Sequence, residues 1–245
     1  MSRVIMVTIV ISTLANGASV VAQTSWTLSV DFAQGFDAET VAEFTGDNVV
    51  NPNGVWSYGY YPADGPTNAP DGGFTLYTHN VCCGEAAIGT PLNNWKSNQG
   101  PDFDGNINLN FDLENGYDVE AWGPGMSWRP GQLAMMTDVF PADGLWTSSI
   151  FTAPKDGTYQ FGFEFENRVM NGDASLVYVT KNHSEILFED EVDGYDGSFD
   201  GAFPAVDGSP FVDGEFELVM AAGDVVSVAV SPTLDDFIEI QGGLH

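Results

Sequence analysis

Basic residues are scarce in this sequence. Its 245 residues include 6 lysines and arginines against 35 aspartates and glutamates, a formal net charge of -29 at pH 7. Such a chain repels nucleic acid and anionic lipid, which excludes both as partners. The surplus carboxylates favour solubility and attract cations, but they repel one another unless salt screens them or calcium binds them. High-salt water and a calcium-rich exterior are the two environments that suit this composition.

Histidines are few, and familiar enzyme motifs are missing. His79, His183 and His245 lie far apart and do not have the spacing of metal ligands. The sequence contains no nucleophile elbow, no Walker loop and no dinucleotide fingerprint. We therefore predict a protein that is not an enzyme. A hydrolase or lyase that uses two carboxylates at glycosidase separation is the lesser alternative.

Cysteine occurs only as the adjacent pair Cys82 and Cys83. An oxidising compartment would favour a disulfide here. Neighbouring Cα atoms are about 3.8 Å apart, closer than in most disulfides, so a vicinal bond would close a strained ring. A vicinal disulfide, free thiols and bonds between chains are all compatible with this pair.

Long apolar runs are absent except at the N-terminus. Arg3 precedes the apolar residues 4–14, a run as long as the core of a signal peptide and too short to span a membrane. Small residues follow up to Ala22. We predict that residues 1–22 are an export signal and that residues 23–245 are secreted to the exterior or cell surface, with no membrane insertion after cleavage. A buried N-terminal strand and an uncleaved anchor are the alternatives.

Alternating polar and apolar residues dominate the rest of the sequence. Residues 158–166 place four rings on one face of a strand, those of Tyr159, Phe161, Phe163 and Phe165. Residues 214–231 repeat the alternation on both sides of Gly223-Asp224 and predict a hairpin. Other strands are predicted at 26–32, 55–61, 73–79, 106–112, 132–137, 146–152, 174–180, 185–190 and 236–240, and the one helix candidate is 37–44.

This pattern predicts an all-β fold, because many short strands are punctuated by 28 glycines and 13 prolines. The expected architecture is an antiparallel β-sandwich, jelly-roll-like and similar to carbohydrate-binding modules. Residues 23–245 show no repeat and no linker, so we expect a single domain.

Aromatic residues are concentrated at 51–62. Alternation places Trp56, Tyr58 and Tyr60 on one face of the predicted strand and Tyr61 on the other. Flat rings of this kind match the C–H face of a sugar, so these four residues are candidate glycan contacts. The alternative is that Trp56, Tyr58 and Tyr60 belong to the core, which leaves Tyr61 as the better contact.

Two acidic segments are candidate calcium sites, because calcium binds carboxylate and amide oxygens. The first has oxygen ligands at alternating positions around Gly105, and the second contains five Asp-Gly pairs between residues 193 and 214. The alternatives are an ordinary turn for the first and a solvated loop for the second. The candidate ligands are Asp102, Asp104, Asn106 and Asn108 in the first segment and Asp193, Asp196 and Asp200 in the second.

Three stretches, at 51–59, 152–159 and 218–226, carry a resemblance to a known group. In this order and spacing they resemble uncharacterised secreted β-sandwich domains of the type found in PEP-CTERM-sorted bacterial proteins. The resemblance spans most of residues 50–240 and implies a jelly-roll-like surface module without assigned activity. The sequence lacks the Pro-Glu-Pro sorting tail, so we do not expect attachment by that route.

Two hypotheses of different classes follow. The first is a secreted, non-catalytic module that binds extracellular polysaccharide, with calcium as the one cofactor considered. The second is a structural subunit of a matrix, sheath or filament, whose partners are neighbouring copies of itself.

Overall fold

The computed structural model describes residues 4–14, 25–33, 45–46, 51–67, 73–82, 92–96, 105–110, 117–118, 127–128, 132–136, 144–167, 174–193 and 211–232. Within these ranges the protein is all-β, as predicted, with antiparallel strand pairs and one short helix. The strands are β1 Val4–Leu14, β2 Ser25–Thr27, β3 Thr45–Gly46, β4 Trp56–Tyr61, β5 Thr75–Leu76, β6 His79–Cys82, β7 Leu92–Lys96, β8 Asn106–Asn110, β9 Tyr117–Asp118, β10 Ser127–Trp128, β11 Leu133–Met136, β12 Trp146–Thr152, β13 Gly157–Asn167, β14 Ser175–Lys181, β15 Glu185–Val192, β16 Phe211–Met220 and β17 Val225–Val230; the helix α1 is Leu28–Ala33.

The strands form two large sheets and a two-stranded ribbon. The nine-stranded sheet has the order β16-β13-β1-β11-β8-β7-β6-β3, with β2 also paired to β1. The six-stranded sheet has the order β15-β14-β17-β12-β4-β5, and β9 pairs with β10. Two short connections link the large sheets, residues 153–156 from β12 to β13 and residues 221–224 from β16 to β17.

Aromatic rings from both large sheets meet in one core. Phe151 of β12 contacts Tyr159 and Phe161 of β13, with ring centroids 5.7 and 5.8 Å apart. Phe163 of β13 contacts Phe188 of β15 at 4.7 Å. The ring face predicted for residues 158–166 is confirmed, since all four of its rings are buried. Such ring pairs add to the hydrophobic free energy gained by burying their area.

The predicted export signal overlaps β1. Residues 4–14 pair with β13 on one side and with β11 and β2 on the other. In a chain that retains residues 4–14, this segment is therefore an interior strand of the nine-stranded sheet. This agrees with the alternative interpretation of an N-terminal strand. Removal of residues 1–22 stays a prediction.

The strand predicted at 26–32 is wrong beyond Thr27, because residues 28–33 form α1. Leu28 and Phe32 lie one helical turn apart, and both are fully buried in the core. The same turn places Asp31 where its Oδ2 accepts a 2.9 Å hydrogen bond from the Trp56 indole and its carbonyl accepts one from Asn53. These tertiary contacts outweigh the local strand pattern.

Other boundaries differ less. The strand predicted at 73–79 is divided into β5 and β6, whereas the strand predicted at 146–152 has the bounds of β12. The hairpin predicted at 214–231 is wrong in its pairing. Both strands form, but β16 pairs with β13 in the nine-stranded sheet, whereas β17 pairs with β12 and β14 in the six-stranded sheet. The helix candidate at 37–44 and the strand predicted at 236–240 lie outside the described residues.

One amide fixes the entry into β4. Asn51 Nδ2 donates to the carbonyls of Tyr58 and Tyr77, at 2.6 and 2.9 Å, and its Oδ1 accepts from the Tyr58 amide at 3.0 Å. A single side chain thus joins the start of the segment to β4 and to the chain after β5.

Candidate functional site

The six-stranded sheet has a second set of aromatic and hydroxyl side chains on the face opposite the main core, which we call the outer face. Register places Tyr61 of β4 beside Trp146 of β12, and Tyr178 of β14 beside Ala229 of β17. The apolar part of this face consists of the buried Tyr61, Ile150 and Ala229 and the partly buried Phe74, Trp146 and Val225. The outer face therefore has its own small apolar cluster, separate from the core between the sheets.

Tyr61 lies at the centre of the outer face and is fully buried. Phe74 packs on its ring with centroids 5.3 Å apart, and His183 packs at 6.0 Å. The Tyr61 hydroxyl and His183 Nδ1 form a hydrogen bond of 2.8 Å. His183 comes from the turn between β14 and β15, where its φ is 60°, so a tight turn carries this imidazole over the sheet.

Hydroxyl groups form the floor beneath Tyr61. Ser148 and Ser227 lie within hydrogen-bonding reach of the Tyr61 phenol. Ser227 Oγ in turn lies 2.6 Å from Thr180 Oγ1, and Ser148 Oγ donates to the Val228 carbonyl at 2.8 Å. Burial raises the pKa of Tyr61 to about 12, partly offset by the serine hydroxyls. The phenol is therefore neutral at pH 7 and belongs to a buried polar network.

Trp146 and Tyr178 form a partly exposed aromatic wall beside this floor. Their rings meet edge to face with centroids 5.1 Å apart. The Trp146 indole donates to the Ala63 carbonyl at 3.2 Å, and the Tyr178 hydroxyl donates to Glu189 Oε1 at 2.6 Å. Each ring is thus held in orientation by a polar contact at its edge. Such fixed, half-exposed rings are suited to stacking against a flat apolar surface.

Two glycines allow the close approaches around the outer face. A Cβ at Gly59 would lie 2.1 Å from the Thr75 carbonyl oxygen, so β5 can cross beside β4 only because residue 59 has no side chain. Gly65 has φ of +75°, and a Cβ there would lie 3.2 Å from the Trp146 indole. The loop after β4 therefore follows the edge of the Trp146 ring closely.

The charges near the aromatic wall are negative. Glu189 lies opposite Tyr178 on β15, and Glu191 lies opposite Leu176. Burial together with the Glu189 carboxylate raises the pKa of Tyr178 to about 12. Burial lowers the pKa of His183, so this imidazole is neutral at pH 7. The outer face thus offers neutral hydroxyl, imidazole and ring groups with carboxylate acceptors at its margin.

The four predicted glycan contacts are divided between the two faces of β4. Trp56 and Tyr58 are 1% and 0% exposed in the main core, and in this arrangement neither offers a ring face to a ligand. Tyr60 is partly buried against the same core and contacts Tyr77 at 5.7 Å. Tyr61 lies on the opposite face, as alternation predicts, but it is 0% exposed and likewise offers no ring face to a ligand. The positions of Trp56, Tyr58 and Tyr60 agree with the alternative interpretation, in which these three rings are core residues.

The structure brings together only part of the predicted calcium and cysteine sites. Asn106 and Asn108 are buried in β8, and Asn108 Nδ2 donates to Asn106 Oδ1. Asp193 follows β15 and is exposed. Cys82 ends β6. Asp102, Asp104, Asp196, Asp200 and Cys83 lie outside the described residues. Within the described ranges no three histidine, cysteine or carboxylate side chains are grouped as a metal site.

A second concentration of charge lies on the nine-stranded sheet. Alternate residues of β16 are exposed, and three of them, Asp213, Glu215 and Glu217, are acidic. Asp213 lies directly opposite Glu164 of β13, and Glu217 lies opposite Gln160. Like charges at directly opposite positions destabilise a sheet. This acidic ladder is therefore a place where screening by salt or a bound cation would be stabilising.

Several outer-face residues could not be identified from the sequence. Trp146 and Tyr178 are partly exposed aromatics in predicted strands, and only strand register shows that they are neighbours. His183 is 122 residues from its partner Tyr61. The one available signal was the position of Tyr61 on the opposite face from Trp56 and Tyr58.

Comparison with known proteins identifies no relative: no protein-family model matches the chain, and neither a curated protein nor a solved structure does. Of the helices in the described ranges, none has the length and apolar composition needed to cross a membrane. Function is therefore inferred from the residues of the outer face themselves.

Proposed function

We propose that the protein is a secreted, non-catalytic module that binds extracellular polysaccharide through the outer face of its six-stranded sheet. The observation that carries the proposal is the partly exposed Trp146–Tyr178 pair with the exposed Glu189 carboxylate bound to the Tyr178 hydroxyl. A pyranose ring has an apolar C–H face and a rim of hydroxyls. The aromatic wall suits the first, and the exposed Glu189 carboxylate and the partly buried His183 imidazole suit the second.

The proposal includes a finer architecture and a location. We infer an antiparallel sandwich of jelly-roll type, supported by the single core shared by the two large sheets. Export is supported by the apolar run after Arg3 and by the acidic composition. The resemblance to secreted domains of PEP-CTERM-sorted proteins agrees with both inferences. In this proposal, calcium aids folding or binding through the acidic segments, and the protein catalyses no reaction.

A pull-down on insoluble polysaccharides, with and without a calcium chelator, tests the proposal. We expect retention of the wild-type protein and loss of about tenfold or more in affinity for Trp146→Ala, because truncating a central aromatic contact costs upwards of 1.4 kcal/mol. Phe211→Ala is the matched control, since Phe211 is 60% exposed on the other sheet. Failure to bind any polysaccharide under either condition, or equal loss in both variants, would reject the proposal.

A structural subunit of a matrix or filament is the second candidate, and β16 is the observation that favours it. This strand lies at one end of the nine-stranded sheet and exposes Phe211 and Val219, at 60% and 74%. Exposed edges can pair with a neighbouring copy, but the carboxylates between these two residues oppose pairing unless a cation neutralises them. Size measurements with and without calcium separate the candidates, because calcium-dependent oligomers are expected only of a matrix subunit.

A further inference from the structure

The aromatic wall of the outer face has negative charge at its rim. We propose that the polysaccharide bound there is a cationic one, built of amino sugars, whose ammonium group pairs with Glu189 while a sugar ring stacks on Trp146 and Tyr178. This ligand class rests on the proposed function of the outer face, which it specifies further.

The Glu189 carboxylate lies at the edge of the Tyr178 ring. Its Oε1 accepts a 2.6 Å hydrogen bond from the Tyr178 hydroxyl, and the side chain is exposed. Tyr178 in turn meets Trp146 edge to face, with centroids 5.1 Å apart. An ionised carboxylate has about four lone-pair positions, so Glu189 can accept further hydrogen bonds after that from the phenol. A sugar that stacks on this wall therefore has an oriented, exposed anion beside its rim.

Two more carboxylates border the same wall. Glu191 is exposed on β15, two residues after Glu189 and therefore on the same face of the strand. On the side of β4, Asp64 is exposed in the loop that follows the edge of the Trp146 ring, next to the Ala63 carbonyl that accepts from the indole. Acidic side chains thus border the aromatic wall from two directions.

The described lysines lie elsewhere. Lys96 is in β7 of the nine-stranded sheet, and Lys155 is in the connection between β12 and β13. Lys181 directs its Nζ to the Val219 carbonyl of β16 at 3.0 Å, and the same atom lies 3.8 Å from Asp224 Oδ2. Within the described ranges, no basic side chain therefore offsets the carboxylates beside the aromatic wall.

This charge pattern favours one class of polysaccharide over two others. Uronates and sulfated sugars carry anions, which the carboxylates would repel. A neutral sugar offers uncharged hydroxyl donors, whereas an ammonium group offers several N–H donors together with a positive charge. Hydrogen bonds from a charged donor to a carboxylate are about twice as strong as neutral ones. An amino-sugar polymer therefore gains most from Glu189.

Calorimetric titration with four oligosaccharides at pH 6, where sugar amines are protonated, tests the ligand class. The ligands are the β-1,4-linked hexamers of glucosamine, N-acetylglucosamine and glucose, and an oligogalacturonate. We expect the glucosamine hexamer to bind about fivefold more tightly than the two neutral hexamers, and the oligogalacturonate not to bind. Glu189→Gln should weaken binding of the glucosamine hexamer about fivefold and change binding of the neutral hexamers by less than about twofold.

Glu217→Gln is the matched control, because it removes the same charge from an exposed position on the nine-stranded sheet. It should leave all four affinities unchanged, and equal melting temperatures check that both variants are folded. The preference for glucosamine should also shrink in 1 M NaCl, where the Debye length is about 3 Å, because the pairing with Glu189 is exposed to solvent.

Equal affinities for the glucosamine and the neutral hexamers would overturn the amino-sugar assignment. Equal losses in the Glu189 and Glu217 variants would overturn it as well, because they would attribute the attraction to net charge alone. In both cases the polysaccharide pull-down could still succeed, and the proposed function would stand. If no polysaccharide retains the protein in that pull-down, the proposed function and the ligand class fail together.

Discussion

The buried phenol of Tyr61 makes a prediction with a defined pH dependence. Tyr61→Phe keeps the ring between Phe74 and His183 but removes the hydroxyl that joins His183 to the serine floor. At pH 7 this removes the hydrogen bond to His183 and the contacts with the buried hydroxyls of Ser148 and Ser227, at an expected cost of about 2 kcal/mol in the free energy of unfolding. For a domain of this size, the melting temperature should fall by about 4–8 °C.

The cost of Tyr61→Phe should shrink at alkaline pH. The pKa of Tyr61 rises from 10.0 to about 12 on folding. The stabilising contribution of this phenol is therefore complete below pH 10 and is lost as pH rises from 10 to 12, since the unfolded chain ionises first. A difference of about two pKa units corresponds to about 2.7 kcal/mol, enough to cancel the cost of the substitution.

Urea denaturation of both proteins at pH 7, 9, 10.5 and 11.5 measures this difference. The wild-type advantage should be constant up to pH 9 and approach zero by pH 11.5. Tyr178→Phe should show a smaller loss of the same sign, because the pKa of Tyr178 is also raised to about 12 but its partly exposed ring is screened by solvent. An advantage that is independent of pH would refute the assignment of Tyr61 to a buried polar network.

Three further predictions concern the surroundings of this network and the acidic ladder. Gly59→Ala should destabilise the fold by about 3 kcal/mol in thermal unfolding, because the new Cβ would meet the Thr75 carbonyl; Gly162→Ala, whose Cβ would have only ordinary contacts, is the control and should change little. The lowered pKa of His183 predicts that its contribution to stability is complete above pH 6.5 and falls at lower pH, because the unfolded chain takes up a proton first. His183→Asn, which tolerates φ of 60°, should reduce the drop in melting temperature between pH 7 and 5.5. An unchanged drop would contradict this. Asp213→Asn should raise the free energy of unfolding by about 0.5 kcal/mol in dilute buffer, because it removes repulsion from Glu164. The gain should vanish in 1 M NaCl, where the Debye length is about 3 Å. A gain that persists at high salt would exclude repulsion as its cause.

Local alternation predicted much of the fold because it reports which residues share a buried face. β12 and β13 follow directly from it, and so do the strands β16 and β17, but alternation did not show that these two strands belong to different sheets. It failed at residues 28–33, where the contacts of Leu28, Phe32 and Asp31 with distant residues favour a helical turn. Residues 4–14 show the same limit. An apolar run suits both an export signal and an interior strand, and composition alone does not decide between them.

The candidate site was less predictable, because it depends on strand register and on turns. Alternation separated Tyr61 from Trp56, but it could not show that Phe74 and His183 cover the Tyr61 ring. Trp146 and Tyr178 become neighbours only after β12, β17 and β14 have paired. The oxygen-rich pattern at Asn106 and Asn108 resembled a metal loop, whereas these amides lie on a buried face of β8 and bond to each other.

Oxidation of tryptophan by N-bromosuccinimide, on protein bound to its polysaccharide, tests the binding role of the outer face most directly. In the free protein, peptide mass spectrometry should show that the partly exposed Trp146 reacts while Trp56, which is 1% exposed, does not. Bound polysaccharide should slow oxidation of Trp146 about tenfold and leave Trp56 unchanged. If Trp146 is oxidised equally fast in the free and the bound protein, the outer face is not the binding surface.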